Sequence, residues 1–277
     1  MDRRELTIAH SPDSDDAFMF YALATRKLRP RGVKLKHHLE DIQSLNRKAK
    51  ESVYEITAIS IAAYPYLSDR YRMMSTGASI GDGYGPLVVA SHPWAPEELK
   101  HKKVAVPGEL TTAFLALRLF EPEVEFIVVP FDRIIDAVKD GKADAGLIIH
   151  EGQLTFDRQG LHRIVDLGRW WQQTEKLPLP LGAVAILREL APELQDEMQK
   201  LIRRSIEYAM QHREEALAYA LQFGRDLDQP LADKFVGMYV NEFTIDMGER
   251  GKLGIRRLLQ LGHERGLLPE YVDPDFV

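Results

Sequence analysis

Short apolar runs closed by polar turns recur along the first two thirds of the chain, and each predicts a β-strand. They fall at residues 6–9, 33–39, 56–59, 87–90, 104–106, 126–129, 147–149 and 183–187. Between them, residues 18–28, 41–51, 111–120 and 132–139 place their apolar positions at helical spacing. Strand and helix in alternation predict parallel β-α-β units. From residue 192 the pattern changes: Leu194, Met198, Leu201, Ile202 and Ala209 share one helical face, and further helices are expected at 213–223, 230–240 and 249–265. No strand pattern follows residue 188, so the chain is expected to end in a helical cap.

Two strand-like runs, 86–90 and 183–187, bracket a middle block with its own β-α-β pattern. A chain that enters and leaves a second unit through two adjacent strands predicts two α/β lobes joined by two hinge segments. The expected division is residues 1–90 and 183–277 for a larger discontinuous domain and 91–182 for a smaller inserted one. A cleft between such lobes is where a ligand is expected.

Composition adds exclusions. Of 277 residues, 45% are hydrophobic and 28% charged, as in an ordinary globular protein. The net charge of -6 argues against a nucleic-acid partner, and the basic cluster of Arg29, Arg31, Lys34 and Lys36 reads as a solvated face. With no cysteine, thiol nucleophiles, disulfides and cysteine-held zinc are excluded. The most apolar segment, 56–67, is too short to span a bilayer and contains Pro65. The first strand begins almost at residue 1, which leaves no signal segment. The expectation is a cytoplasmic monomer or homodimer with a small-molecule substrate and no membrane or nucleic-acid partner.

The candidate chemistry lies just past the strands, where open α/β sheets bind ligands. The run Ala145, Gly146, Leu147, Ile148, Ile149 ends in His150 and Glu151, which presents an imidazole at a strand end. Ser11, Pro12, Asp13, Ser14, Asp15 and Asp16 follow the first strand. Serine and aspartate here read either as an acidic helix cap or as ligand contacts. A calcium loop would need a mid-loop glycine and a distal glutamate, so no metal is expected. Thr111, Thr112 and Ala113 open a helix whose first N–H groups, with two hydroxyls, suit a carboxylate or phosphate. Ala58, Ile59 and Ser60 end a strand of the first lobe, and Asp41 and Asn46 lie just past another. The glycines at 81, 83 and 85 precede a strand rather than follow one, so they read as a compliant loop and not a dinucleotide site. Trp170 and Trp171, before the proline-rich stretch 177–182, read as core or as an aromatic wall for a flat ring.

Taken in order, these segments resemble the 1,4-dihydroxy-6-naphthoate synthase family of menaquinone biosynthesis by the futalosine pathway. The resemblance runs over nearly the whole chain. It is carried by residues 145–151, by Pro178 to Gly182, Gly85 to Val89, Thr111 to Ala113, Leu39 to Asp41 with Leu45 and Asn46, and Tyr239 to Asn241 before Asp246. It implies the two-lobed, type II periplasmic-binding-protein-like fold, used as an enzyme. It also implies a lyase that turns cyclic de-hypoxanthine futalosine into 1,4-dihydroxy-6-naphthoate without metal or organic cofactor. Residue by residue, His150 matches the family's proton-abstracting base, and Ala58 to Ser60 with Thr112 and Ala113 match its substrate-contacting stretches; Ser11, Asp16, Asp41, Asn46 and Thr111 join the expected binding set. The family pattern after the first strand is Ser-Pro-Cys-Pro-Asn-Asp-Thr. This chain keeps Ser11, Pro12 and Asp16 and loses the Asn and Thr. The alternatives are a solute-binding or ligand-sensing protein of the same fold, or a paralogue acting on a related aromatic carboxylate, such as a chorismate dehydratase-like enzyme.

Overall fold

A computed structural model describes residues 4–30, 32–224 and 228–277; Arg31 of the basic cluster lies outside them. Two sheets organise the chain. The larger has the order β2-β1-β3-β11-β4, with β5 also on β11. Its strands are β1 (Arg4–His10), β2 (Val33–Leu39), β3 (Ile56–Ser60), β4 (Tyr71–Met73), β5 (Ser79–Gly81) and β11 (Leu179–Leu187). The smaller has the order β10-β6-β9-β7-β8, from β6 (Leu87–Ala90), β7 (Lys103–Val106), β8 (Glu125–Val128), β9 (Ala145–Ile148) and β10 (His162–Asp166).

Neither sheet is purely parallel, as alternating strand and helix had suggested. β1 runs parallel to β2 and β3, but β11 is antiparallel to β3, β4 and β5. Likewise β9 is parallel to β7 and antiparallel to β6. The long return strand β11 closes the first sheet from the far side of the second, which a parallel crossover cannot do.

This connectivity corrects the expected hinges. β6 pairs with β9 and β10, so residues 86–90 already belong to the second sheet, and β11 enters the first sheet at Leu179. Sheet membership changes between Gly81 and Leu87 and between Glu175 and Leu179, earlier than boundaries at 90/91 and 182/183. The glycine loop before β6 is also not compliant. A Cβ on Gly168 would lie 2.0 Å from the Tyr84 carbonyl oxygen, and one on Gly85 would lie 2.9 Å from Gly168 itself. Only glycine at both positions lets the two backbones touch.

Helices cover both sheets. α1 (Ser14–Met19) and α2 (Tyr21–Ala24) follow β1, α3 (Ile42–Ala49) follows β2, α4 (Thr112–Phe120) follows β7, and α5 (Ile134–Lys139) precedes β9. α6 (Leu167–Glu175) precedes β11. The cap is built by α7 (Pro192–Gln211), α8 (Arg213–Ala220), α9 (Gln229–Tyr239), α10 (Glu242–Ile245) and α11 (Gly248–Glu264). α7 follows the apolar stripe read from the sequence, with Met198, Leu201, Ile202 and Ala209 all buried. One large core joins the first sheet to this cap through Phe18, Tyr64, Tyr71 and Leu258; a separate core built on Val88, Val104 and Leu147 fills the second lobe. Among the described residues no helix is long and apolar enough to cross a membrane.

Two arginines fasten the C-terminal residues to the first sheet. Arg188 Nη1 lies 2.6 Å from Asp275 Oδ2, and Arg72 Nε lies 3.1 Å from the same oxygen. Phe276 then bridges to Met73 in parallel register.

Candidate active site

The largest concavity lies between the two sheets, with a volume of about 120 Å³, many times what a single water needs. The first lobe contributes Ser11, Asp13, Asp15, Asp16, Ala58, Ile59 and Ser60; the second contributes Thr111, Thr112, Ala113 and Ile149. Leu181 to Val184 of β11 and Tyr239 of α9 complete the walls.

Most expected residues meet here because the ends of β1, β3, β7 and β9 converge on one gap. Ser11, Asp16, Ala58, Ile59, Ser60, Thr111, Thr112 and Ala113 all line it. Asp41, Asn46 and His150 do not. Asp41 caps α3, accepting the Ser44 N–H at 3.0 Å. Asn46 is fully buried behind Ser60, takes the Ser60 N–H on Oδ1 at 2.8 Å, and donates through Nδ2 to Ser60 Oγ at 2.9 Å.

The two threonine hydroxyls spend their hydrogens on the protein, against the expectation that they would be ligand donors. Thr111 caps α4 by accepting the Phe114 N–H and donates to the Gly108 carbonyl at 2.8 Å. Thr112 Oγ1 accepts the Ala62 N–H at 3.1 Å and donates to the Leu181 carbonyl at 2.6 Å, tying the second lobe to the first. What remains for an anion is the backbone: the first N–H groups of α4, at Thr112 and Ala113, open on the cavity with the positive end of the helix.

The acidic loop also differs from a simple cap. α1 starts at Ser14, so Asp15 and Asp16 sit in its first turn, and the N-cap Asp13 makes no side-chain cap bond. Asp16 Oδ2 instead accepts the Ser11 N–H at 2.7 Å, which fixes the loop. Burial pushes the Asp16 carboxyl up, against the hydrogen bonds from Ser11. Asp15 is pushed well up by burial and then by the charges of Asp16, Asp13 and Glu151. Among the described residues no cluster of three or more His, Cys, Asp or Glu is arranged to hold a metal ion.

His150 follows Ile149 directly but is turned off the cavity. Its ring meets Phe131 edge-on, centroids 5.6 Å apart, and Nδ1 accepts the Gly152 N–H at 3.0 Å. Beside it, Glu151 reaches across the gap: Oε1 takes the Ser14 Oγ–H at 3.1 Å and the Ser14 N–H at 3.3 Å, while Oε2 lies 3.8 Å from His150 Nδ1. A second bridge runs from Tyr239 OH to Gln153 Oε1 at 2.7 Å. The lobes are therefore closed on each other.

Residues not anticipated as contacts are Asp13, Asp15, Ser79, Leu181 to Val184 and Tyr239. Only Tyr239 and Leu181–Gly182 carried a signal, as parts of the quoted resemblance. The tryptophans are not an aromatic wall. Trp171 is fully buried, with Nε1 donating to the Pro178 carbonyl at 3.2 Å, and Trp170 meets Phe120 edge-on.

Two mixed α/β lobes with a ligand-sized gap and a chain that crosses twice define the periplasmic-binding-protein architecture. The alkanesulfonate-binding protein SsuA from Xanthomonas axonopodis pv. citri shares it at a TM-score of 0.72 and 11% identity, with 99% of this chain and 97% of that one covered. Sequence narrows the class further. A family model for menaquinone biosynthesis matches residues 6–264, and the chain belongs to that family. A relative from Thermus thermophilus named 1,4-dihydroxy-6-naphthoate synthase is 40% identical over 272 residues, 98% of this chain and 99% of the relative. The crystal structure of protein AF1704 from Archaeoglobus fulgidus is 46% identical, with a TM-score of 0.92 and coverage of 95% of this chain and 98% of that one.

Proposed function

We propose that the protein is a carbon–carbon lyase that converts cyclic de-hypoxanthine futalosine into 1,4-dihydroxy-6-naphthoate, as its Thermus relative's name states for that enzyme. The observation that carries the reading is the closed interlobe cavity. Flat apolar walls from Ile42, Ile59, Ile149, Leu181 and Val184 face the opening turn of α4 and the Ser60 hydroxyl. Such walls suit an aromatic ring, and the N–H groups of Thr112 and Ala113 suit its carboxylate.

His150 is the general base in this proposal. With Nδ1 accepting the Gly152 N–H, a neutral ring carries its proton on Nε2. Base action therefore requires the ring to release Gly152 and turn toward the side of the strand where Ile149 meets the cavity, and substrate binding drives that turn. A lone pair then becomes available to take a proton from carbon next to a carbonyl. Glu151 Oε2, 3.8 Å from Nδ1 in the closed form, favours the imidazolium so formed. Elimination follows, and aromatisation of the new ring draws the reaction forward. Thr112 and Ala113 orient the substrate carboxylate, Ser60 a second oxygen, and the closed lobes keep out water.

Incubating purified protein with cyclic de-hypoxanthine futalosine and following naphthoate absorbance tests this directly. Conversion supports the lyase; recovery of the compound bound but unchanged leaves a solute-binding protein.

A further inference from the structure

We propose that Asp15 determines which ligands this cleft accepts: in the closed form it carries a proton and donates a hydrogen bond to an anionic oxygen of the substrate, the carboxylate of an aromatic acid. The inference rests on reading the cleft as the site of such an acid.

Asp15 faces the cavity from the first turn of α1. The groups that face it are Asp13 and Asp16 on its own segment, Glu151 from the turn after β9, and the Tyr239 phenol from α9. All are acids. Among the described residues no lysine, arginine or histidine makes an ion pair with Asp15. The surrounding carboxylates are better provided for. Asp16 has the Ser11 N–H, Asp13 the Ser11 hydroxyl at 3.0 Å, and Glu151 both the N–H and the hydroxyl of Ser14. Asp15 draws only on the N–H of Asp16. Closure makes its position worse, because the Ser14–Glu151 and Tyr239–Gln153 bridges bring Glu151 and Tyr239 to it from across the gap. A charged Asp15 would then add one more negative charge to a water-poor space that already holds several. The proton resolves the conflict.

It also decides what the cavity can hold. A charged Asp15 would repel an anion from the very gap into which α4 directs its first N–H groups. A neutral Asp15 becomes a donor on the opposite side, so one carboxylate is gripped by α4 and by an acid hydroxyl together. Above the ionisation of Asp15, binding an anion draws a proton from solvent.

Two measurements on wild type and Asp15→Asn test this. Calorimetry of 1,4-dihydroxy-6-naphthoate binding in buffers of different ionisation enthalpy should show proton uptake approaching one per ligand at alkaline pH in the wild type, and none attributable to this site in Asp15→Asn. KM for cyclic de-hypoxanthine futalosine should climb about tenfold per pH unit above that ionisation in the wild type, lose the climb in Asp15→Asn, and be raised at every pH in Asp15→Ala. Equal proton uptake and parallel KM profiles in wild type and Asp15→Asn would overturn the role of Asp15 while leaving the lyase standing. If the wild type turns over no substrate, the lyase reading fails, and thermal melts decide Asp15 alone. Asp15→Asn should gain stability over wild type as pH rises from 4 to 8, and a constant difference overturns the proposal.

Discussion

Asn46 grips Ser60 with both ends of one amide, the carbonyl on the backbone N–H and the amino group on the hydroxyl. The same Nδ2 lies 3.4 Å from the Leu110 carbonyl of the other lobe. Asn46→Ala would strand the Ser60 N–H in a fully buried place, which costs about 2–3 kcal/mol in denaturant unfolding. A double-mutant cycle with Ser60→Ala should give a coupling above about 0.5 kcal/mol. Strict additivity would show that the pair does not act as a unit.

Replacing His150 by Gln removes the base and keeps a polar side chain of similar reach. Turnover should fall by about two to four orders of magnitude, while naphthoate affinity by fluorescence titration changes little. Gly152→Ala offers a second view, because its Cβ would lie 2.8 Å from His150 Cε1 and must displace the ring. Its kcat should shift with KM far less affected.

The cross-lobe bridges predict a measurable closure equilibrium. Ser14→Ala and Tyr239→Phe each delete one hydroxyl donor across the gap. Each loss is expected to cost about 1 kcal/mol of closure, raising KM about fivefold. Small-angle scattering of the double variant should show a larger radius of gyration than wild type. An unchanged radius and KM would mean these bonds do not hold the lobes together.

Acid stability should hinge on two histidines behind the acidic loop. Burial pushes the His10 imidazole down to about 4, although its Nδ1–H donates to the Ser11 carbonyl, and burial likewise pushes His37 down to about 4. The folded-state values lie below the unfolded one, so the unfolded chain binds more protons once pH drops under about 6.5. Stability is therefore complete above that pH and drains as pH falls toward 4, by roughly 3 kcal/mol for His10. Melting temperatures of wild type and His10→Gln across this window should converge as the pH is lowered. Parallel curves would exclude His10 as the source.

How far the sequence can be read depends on how local each signal is. The strand at 87–90 and the helical stripe through Met198 and Leu201 were legible because a few consecutive residues carry the whole pattern. β4 and β5 are three residues each, too short for a period to appear. The start of β11 was hidden by Pro178 and Pro180; the strand tolerates Pro180 because its register shifts between Pro180 and Gly182. At the cavity, strand ends located Ser60 and Thr112 well, since ligands gather beyond such ends. The turn of the His150 ring onto Gly152, and the neighbours that crowd Asp15, depend on contacts between residues over a hundred positions apart. Asp15 stood out in the sequence only as a departure, an acid where the family pattern has Asn.

The arginine clasp on Asp275 has a consequence for the outer rim of the larger sheet. An uncovered border strand invites a second molecule to add its own ladder of hydrogen bonds. Here the tail through Phe276 lies along β4, while at the far border β2 presents the exposed ammonium groups of Lys34 and Lys36. One margin is hemmed and the other is fenced with charge, so any self-association of this chain has to use a face other than continuation of that sheet.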